Sequence, residues 1–370
     1  MSPMPELFIG LMSGTSLDGV DGVLADFASA SANVLAHASA PFPAELRSEL
    51  LALNTSGGDE LHRAALASND LARVYASVVE QLLLHSHISP AQVEAIGAHG
   101  QTVRHRPGMF DGTGYTLQLN QPALLAELTG ISVACDFRSR DVAAGGQGAP
   151  LAPFFHRDAF ATGGQNVGVL NIGGISNLTV LRADGGLLGF DCGPGNALMD
   201  FWCHLHTGAP FDDAGAWAAS GHVVRPLLQA MRGEPFFALP PPKSTGRDLF
   251  NRPWLEQHLL AAVAARARDV QATLAELTAL ACAHDAARYD LARLIVCGGG
   301  ALNTHLMNRL ADLLPGVAVV ASDDAGVPPL QVEALAFAWL ARKAVRREKL
   351  ELTTTTGARG ARVLGAIYPA

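Results

Sequence analysis

Two apolar segments of this chain each end in a polar, glycine-bearing turn and then continue into a second apolar segment. The first pair lies at residues 7–12 and 19–27, and the second at residues 166–172 and 176–182. Turns rich in Gly, Ser, Thr and Asn offer backbone N–H groups and hydroxyls to an anion and form concave phosphate-binding sites. Each turn alone is also typical of an ordinary β-hairpin, but the pair favours two lobes that close on the phosphates of a nucleotide.

The turns supply the candidate phosphate and metal ligands. They are Gly14, Thr15, Ser16, Leu17, Asp18, Gly19, Val20 and Asp21 in the first turn, and Asn171, Gly173, Gly174 and Asn177 in the second. Asp18 and Asp21 could hold Mg²⁺ through water, because hard cations prefer oxygen ligands. Asp18 lies inside the turn and is the better candidate, whereas Asp21 is equally well explained as a strand-edge carboxylate. No lysine stands in a Walker-type phosphate loop, which excludes that class of kinase.

Six motifs together resemble a known enzyme family. The two turns and a third glycine-rich turn resemble the loops of the sugar kinase, actin and heat-shock ATPase superfamily. Within it, the resemblance to the anhydro-N-acetylmuramic acid kinase family covers essentially the whole chain. It rests on MSGTSLDGVD at 12–21, AHGQTVRH at 98–105 (Ala98 replacing a leading Gly), DFRSRDVAAGGQGAPLAP at 136–153, GFDCGPGN at 189–196, PKSTGR at 242–247 and CGGGALN at 297–303. The resemblance implies that Gly298, Gly299, Gly300 and Asn303 meet the adenosine of ATP.

The order of apolar segments and the resemblance agree on the fold. Three strands within residues 7–42, helices at about 43–53 and 59–86 and a strand at 93–97 follow the order of a ribonuclease H-like lobe. Residues 166–347 repeat that plan, with helices expected at 301–313 and 328–347. We therefore expect an α/β, actin-like ATPase fold of two ribonuclease H-like lobes with an interlobe nucleotide-binding cleft. The expected domains are residues 1–138 with about 352–370, and residues 139–351, with the C-terminal tail pairing with the first lobe.

Asp191 is the candidate catalytic residue, since it ends an apolar strand and precedes a glycine turn. An Asp at this position is also a common helix N-cap, here for a helix beginning near Asn196. The family resemblance implies that Asp191 is a general base. It would deprotonate a water that attacks the anomeric carbon of 1,6-anhydro-N-acetylmuramic acid. The departing O6 would then attack the γ-phosphate of ATP, giving N-acetylmuramic acid 6-phosphate and ADP.

Four residues are candidate sugar ligands. Thr102 is expected at a strand-to-helix turn, where its hydroxyl could bond the sugar. Arg138 or Arg140 could pair with the lactyl carboxylate, because Arg offers a bidentate fork, or could instead pair with a neighbouring aspartate. The two arginines share a face only if their segment is extended. Glu333 resembles the second acidic sugar contact of the family, although a single Glu on an amphipathic helix is usually solvated.

Composition restricts the partners. The net charge of −8 and the absence of a basic stripe argue against nucleic acid or an anionic membrane. Five widely spaced cysteines without a C-x-x-C pair support neither a disulfide framework nor a zinc site. With no leader-like or membrane-spanning segment in the sequence, we expect a cytoplasmic protein. A homodimer is expected from the family resemblance alone.

Two other classes of function compete with a kinase. A glycoside hydrolase could act on the same ring with Asp191 and Glu333 as its two carboxylates, but it would leave the phosphate turns without a role. A nucleotide-driven clamp, like actin or the chaperone ATPases, would need a partner-binding module for which the chain has no residues left. ADP release that depends strictly on an anhydro sugar indicates the kinase, and sugar-independent ATP turnover indicates the clamp.

Overall fold

Two β-sheets organise the protein, each within its own unit of the chain; the five strands of one sheet and five of the six strands of the other follow the same order. The computed structural model describes residues 4–14, 17–29, 32–241, 243–246, 249–260 and 264–370. In each sheet three sequential antiparallel strands are followed by two parallel strands, and the first strand lies in the middle. This is the ribonuclease H-like arrangement. The expected α/β fold with two such units is confirmed.

Unit 1 comprises Met1–Ala159 and Glu333–Ala370. Its sheet has the order β13-β7-β4-β1-β2-β3, and β5 pairs with β6 in a separate hairpin. Its strands are β1 (Leu7–Met12), β2 (Gly19–Asp26), β3 (Asn33–Pro41), β4 (Val93–Ala98), β5 (Gln101–Pro107), β6 (Gly114–Leu119), β7 (Val133–Cys135) and β13 (Ala366–Tyr368). Its helices are α1 (Ala44–Ala52), α2 (Glu60–Ser86), α3 (Pro122–Thr129), α4 (Ser139–Ala143), α5 (Ala152–Phe160) and α12 (Val332–Val345).

Unit 2 is the continuous stretch Phe160–Val332. Its sheet has the order β10-β9-β8-β11-β12. Its strands are β8 (Val167–Ile172), β9 (Ile175–Leu181), β10 (Leu187–Pro194), β11 (Arg293–Cys297) and β12 (Ala318–Ala321). Its helices are α6 (Ala197–Thr207), α7 (Ala216–Ala219), α8 (Arg225–Arg232), α9 (Arg252–Leu259), α10 (Ala267–Ala286) and α11 (Thr304–Leu313).

Each unit buries its sheet against long helices. In unit 1, α2 presents apolar residues at helical spacing, among them Leu71, Tyr75 and Val78, to the core beside β1 and β2. In unit 2, α10 is buried along most of its length against β10 and α11. All five cysteines are buried free thiols. None of the helices in the described ranges has the length and apolar character needed to span a lipid bilayer.

The unit boundaries differ from the expected domains, because helix α12 packs on the sheet of unit 1. At Gly10 of β1 an added Cβ would lie 1.9 Å from the carbonyl oxygen of Ala334, and at Gly97 of β4 it would lie 2.0 Å from that of Phe337. Glycine at both positions therefore lets the helix backbone approach the strands. The tail follows α12 into unit 1, where β13 pairs with β7.

Two local expectations need correction. Thr102 does not precede a helix: it lies in β5, whose partner β6 is the other strand of a hairpin. The helix expected at 301–313 begins only at Thr304, after a short 3₁₀ turn. Its N-cap is Asn303, whose side chain accepts a hydrogen bond from the Leu306 amide at 3.0 Å.

Candidate active site

Hydrogen bonds to the buried side chain of Tyr75 hold the first phosphate turn in place. The Tyr75 hydroxyl lies 2.9 Å from Ser13 Oγ and accepts a hydrogen bond from the Gly100 amide at 3.1 Å. Ser13 Oγ also donates to the Gly100 carbonyl, and Gln101 Nε2 donates to the Gly14 carbonyl at 3.1 Å. Burial raises the pKa of Tyr75, so the phenol stays protonated and can both donate and accept a hydrogen bond. The turn is therefore held in place at its first two residues.

The predicted ligands of the first turn occupy different environments. Thr15 and Ser16 lie outside the described residues. Leu17 has a left-handed backbone (φ 59°) and a buried side chain, so only its main chain is suited to a phosphate. Val20 is a core residue, and Gly19 is required by the close approach of the Ala40 carbonyl. These last two residues shape the turn through packing.

The two candidate metal ligands differ in their surroundings. Asp21 lies in β2, 3.6 Å from His37 on the neighbouring strand, which is the strand-edge situation. Asp18 is more open: its side chain is 75% exposed and has Arg47 at 3.9 Å. Among the described residues no group of three His, Cys, Asp or Glu side chains is placed to bind a metal ion. An exposed single carboxylate fits a magnesium ion that keeps most of its ligands as water and phosphate oxygen.

The second phosphate turn is tied to the start of helix α6. The Gly173 carbonyl accepts a hydrogen bond from the Asn196 amide at 2.7 Å, and the Gly174 carbonyl accepts one from the Gly195 amide at 3.0 Å. Asn196 Nδ2 also donates to the Ile172 carbonyl at 3.0 Å. With the carbonyls held by the helix, the turn has a fixed shape that suits an anion-binding role.

Asp191 lies in one row with two residues of the second turn. In the sheet register Asp191 of β10 stands opposite Asn177 of β9, which in turn stands opposite Asn171 of β8. Directly paired residues point to the same face of a sheet, with Cβ atoms about 5 Å apart. The sheet therefore brings the candidate base and the second phosphate turn onto one surface of unit 2.

The carboxylate of Asp191 is held by a segment more than fifty residues away in sequence. Its Oδ2 accepts hydrogen bonds from Ser244 Oγ and from the Thr245 amide, both at 2.9 Å, while its own amide donates to the Lys243 carbonyl at 3.0 Å. Burial raises the pKa of Asp191, and the two hydrogen bonds and the Lys243 charge partly oppose that rise. Asp191 makes no cap to helix α6, whose N-cap is Asn196, so the capping interpretation is wrong.

The third glycine turn packs directly against the second. A Cβ at Gly298 would lie 2.4 Å from Asn171 Oδ1, and one at Gly300 would lie 2.4 Å from the Ile172 side chain. Gly298 also has a left-handed φ of 76°. These glycines are required by close packing between β8 and β11, a role compatible with exposing backbone to a nucleotide base. The Asn303 side chain is occupied as the cap of α11.

A polar network lines the hairpin that carries Thr102. The Thr102 hydroxyl accepts a hydrogen bond from Gln118 Nε2 at 3.2 Å, and the same nitrogen donates to Thr116 Oγ1 at 2.8 Å. Thr116 Oγ1 lies 2.9 Å from His105 Nδ1. Thr102 is half-buried within this network, so its hydroxyl keeps a fixed direction.

Arg138 and Arg140 lie in different environments, because their segment is helical. Arg138 directs its guanidinium inward: Nη2 donates to His99 Nε2 at 2.9 Å, and Nη1 donates to the Gly148 carbonyl at 2.8 Å. Arg140 is exposed on α4 and lines a shallow surface pocket. The ion pairs of the described residues include none between Arg138 and Asp136 or Asp141.

His99 connects Arg138 to the first phosphate turn. Burial and the Arg138 charge lower the pKa of His99 to about 3, so the ring is neutral. A neutral ring whose Nε2 accepts from Arg138 carries its proton on Nδ1, which lies 3.3 Å from the Ser13 carbonyl and donates to it. Burial lowers the pKa of Arg138 to about 10, and the charge of Glu333 opposes that change. The charge of half-buried Glu333 therefore acts on Arg138 within unit 1.

Comparison with known proteins identifies the family. The model of the family described as anhydro-N-acetylmuramic acid kinase matches residues 6–370. A protein of that name from Variovorax paradoxus (strain S110) is 66% identical over 99% of this chain and 99% of its own length. Proteins of that name from Albidiferax ferrireducens and Cupriavidus metallidurans are 60% and 59% identical and are covered over 100% and 98% of their lengths. The chain belongs to the anhydro-N-acetylmuramic acid kinase family.

Within this anhydro-N-acetylmuramic acid kinase family member, the structure adds residues that the motifs alone did not single out. Tyr75 comes from an amphipathic helix and looks like any core aromatic. His99 lies in the motif at 98–105, which does not by itself distinguish one side chain from its neighbours. Lys243, Ser244 and Thr245 lie in a recognised motif, but their approach to Asp191 spans 52–54 positions. No local periodicity signals such a contact. The only available signal was the polar motif at 242–247 in an otherwise proline-rich loop.

Proposed function

We propose that this protein is an ATP-dependent kinase that hydrolytically opens the ring of 1,6-anhydro-N-acetylmuramic acid and phosphorylates O6. The products are N-acetylmuramic acid 6-phosphate and ADP, and the role is the recycling of peptidoglycan. Family membership over residues 6–370 supports the kinase activity. The observation that carries the mechanism is the row of Asn171, Asn177 and Asp191, which joins a carboxylate of raised pKa to a phosphate-binding turn.

The proposed reaction uses Asp191 once as a base. Its carboxylate takes a proton from a water whose oxygen bonds to the anomeric carbon C1, and the C1–O6 bond breaks. The freed O6 bonds to the γ-phosphorus as the bond to ADP breaks, and Asp191 then returns its proton to solvent. The Ser244 hydroxyl and Thr245 amide keep one carboxylate oxygen occupied, so the other, Oδ1, is the atom assigned to the water.

The ligand contacts are divided between the turns and the polar network of unit 1. The first and second turns hold the phosphates of ATP, and the third lies against the adenosine. Magnesium, held at Asp18 largely through water, would neutralise charge on the phosphates. Thr102 and Glu333 bond the sugar. Arg138, rather than exposed Arg140, faces the lactyl carboxylate. Arg138 is the better candidate because His99 orients its guanidinium and because it interacts with the charge of Glu333.

Two further properties belong to the proposal. A cytoplasmic location is supported by five free thiols, which persist in a reducing compartment. A homodimer is inferred from the family resemblance, and sedimentation analysis of the purified protein tests it. A monomer across the micromolar concentration range would contradict the dimer.

ADP release measured with ATP and magnesium, with and without the anhydro sugar, tests the function. We expect release only with the sugar, and a product heavier by one phosphoryl group and one water in the mass spectrum. A gain of water alone would identify a hydrolase. ADP release without sugar would identify a nucleotide-driven clamp, and either result would contradict the kinase.

A further inference from the structure

Unit 2 contains an ion pair that is almost entirely removed from solvent. The Lys243 ammonium lies 2.8 Å from Asp285 Oδ2, and their side chains are only 2% and 1% exposed. The other Asp285 oxygen lies 3.4 Å from Arg288, which is 40% exposed. Lys243 is one of three lysines in the chain. The ammonium also lies 4.9 Å from the centre of the Phe236 ring.

Stability alone does not account for this pair. Removing two charges from water costs several kcal/mol per ion, and apolar residues of similar volume are often as stabilising as a buried ion pair. A buried pair is better explained when it fixes one arrangement of the chain.

The pair joins the segment around Asp191 to the most buried helix of unit 2. Asp285 lies in the last turn of α10, which is 20 residues long and buried along most of its length. Residues 243–246 belong to no helix or strand. Through the ammonium–carboxylate contact, this irregular segment is attached to a rigid element.

Among the described residues, the same segment makes the hydrogen bonds that Asp191 forms outside the sheet. The Lys243 carbonyl accepts from the Asp191 amide, and the next two residues, Ser244 and Thr245, donate to Asp191 Oδ2. The anchored ammonium and these three contacts come from three consecutive residues. A displacement of Lys243 would therefore move both donors relative to the Asp191 carboxylate.

We propose that Lys243, paired with Asp285, is a positioning residue that holds the Asp191 carboxylate in the orientation required of the base. This inference rests on the proposed function, since it gives Asp191 the role of base. A supporting group that locks a catalytic side chain by hydrogen bonds acts on the chemical step more than on binding. The ion-pair partner of the Lys243 ammonium is Asp285 and not Asp191.

The charge of Lys243 also supports the role of Asp191 as a base. The Lys243 charge favours the ionised form of Asp191 and so opposes the rise in the pKa of Asp191 that burial causes. The Cys192 thiol lies beside the pair and stays neutral, because burial holds its pKa well above the usual value. Burial also raises the pKa of Tyr289, which interacts with Asp285 and Cys192. Of the two charges of the pair, that of Lys243 acts on Asp191.

The test removes the pair without leaving a buried charge. In the double variant Lys243→Met/Asp285→Asn we expect kcat to fall between about 10- and 100-fold, the loss typical of a misplaced catalytic group. KM for ATP should change less than twofold. The acid limb of the pH profile of kcat should move to higher pH. A double variant that folds like the wild type and keeps its kcat and pH profile would overturn the proposal.

A single variant keeps the proposal testable if the double variant does not fold. Asp285→Asn keeps Lys243 and its backbone contacts but removes the partner of the ammonium, so kcat should fall in the same way. Wild-type kcat in this variant would also overturn the proposal. The matched control is Arg309→Met/Glu276→Gln, which removes a two-contact ion pair (2.8 and 2.9 Å) between α10, the helix that carries Asp285, and α11. It should alter thermal stability while leaving kcat and the pH profile unchanged.

A titration that needs no turnover separates the two proposals. The carboxyl carbon of Asp191 is followed by ¹³C NMR and assigned by its loss in Asp191→Asn. We expect its pKa to rise in Lys243→Met/Asp285→Asn and to stay unchanged in the control. If the wild type releases no ADP with the anhydro sugar, the proposed function fails, while this titration still reports on the pair. An unchanged Asp191 pKa in the double variant would contradict the proposal that the Lys243–Asp285 pair acts on the Asp191 carboxylate.

Discussion

At the scale of single residues, the site depends on how Asp191 is balanced between burial and hydrogen bonding. Burial raises its pKa, whereas Ser244, Thr245 and Lys243 stabilise its charged form. A carboxylate left buried without such donors would be protonated more readily and would be a poorer base at neutral pH. The donors therefore keep Asp191 both ionised and directed.

Replacing Asp191 tests its role directly. Asp191→Asn preserves the size and the acceptor of the side chain but removes the base, so we expect kcat to fall by at least about 100-fold, the lower range for general base catalysis. ATP affinity, measured by calorimetry, should remain within about twofold. Substantial remaining turnover would show that another group removes the proton from water.

The pH profile should respond to the Ser244 hydroxyl. Ser244→Ala removes a donor to the ionised carboxylate, so the pKa of Asp191 should rise further. Because only the ionised form acts as a base, activity should be lost at a higher pH as the solution is acidified. The acid limb of kcat/KM against pH measures this. Ser220→Ala, which alters an exposed serine bonded to the Trp217 carbonyl, is the control and should leave the limb in place. A limb that does not move in Ser244→Ala would show that the hydroxyl does not stabilise the reacting carboxylate.

Sequence patterns located the candidate base but not its neighbours. Asp191 was recognisable because a strand, an Asp and a glycine turn are adjacent in sequence. The Ser244 and Thr245 contacts were not, since they depend on how a loop without periodicity folds back over 53 and 54 positions. Likewise, the tautomer of His99 depends on the burial of Arg138, which no local pattern encodes.

At the scale of secondary-structure elements, the close approach of α12 to β1 and β4 is the main constraint. Glycine in adjacent strands, Gly10 and Gly97, removes the side chains that would separate the helix from the sheet. An ion pair between Arg342 and Glu6 adds a polar contact along the same interface, at 2.7 Å. The packing of α12 on the sheet puts Glu333, in the first turn of the helix, where its charge raises the pKa of Arg138.

A methyl group at this interface should be costly. In Gly97→Ala the new Cβ would lie 2.0 Å from the Phe337 carbonyl oxygen, and backbone cannot move aside as a flexible side chain can. We expect a loss of about 1–3 kcal/mol in the free energy of unfolding, as for overpacked cores. Urea denaturation measures the change. Gly58→Ala, where the added atom meets nothing within 4 Å, should be close to neutral, and equal losses in the two variants would contradict the packing argument.

Most elements were predictable, and the exceptions have a common cause. Strands β1–β4 and β8–β10 follow apolar runs bounded by turns, and α2 follows a long helical period. The β5–β6 hairpin was missed because its strands are polar on one side, with Thr102 and Arg104 in β5. The start of α12 was placed near Pro328 rather than at Val332 because a 3₁₀ turn over Pro329–Gln331 intervenes. Short 3₁₀ turns and polar hairpins have weak periodic signals.

At the scale of the whole molecule, the chain contains the same strand order twice, with one unit continuous and the other interrupted. Unit 2 is formed by Phe160–Val332 alone, whereas unit 1 needs Glu333–Ala370 to complete its sheet and its helical cover. The sequence showed the repeat but not the crossing of α12, since an apolar helix fits either sheet equally well by pattern.

Truncation should therefore affect the two units unequally. A chain ending at Gln331 lacks α12 and β13, so β1 and β4 lose the helix that covers Gly10 and Gly97. We expect amide hydrogen exchange in β1 and β4 to become fast while β8 and β11 stay protected. A chain ending at Gly365, which lacks only edge strand β13, is the control and should keep β1 and β4 protected. Equal protection in both truncated chains would contradict the assignment of α12 to unit 1.

The late position of α12 also sets the order of events on the ribosome. Strands β1–β7 of unit 1 emerge first, but the helix that covers β1 and β4 is translated only after all of unit 2. At about 5–20 residues per second, unit 2 takes roughly 10–30 s to synthesise. During that interval the nascent β1–β4 surface has no helix to cover its two glycines. A period of exposure to chaperones is therefore built into the order in which this chain is made.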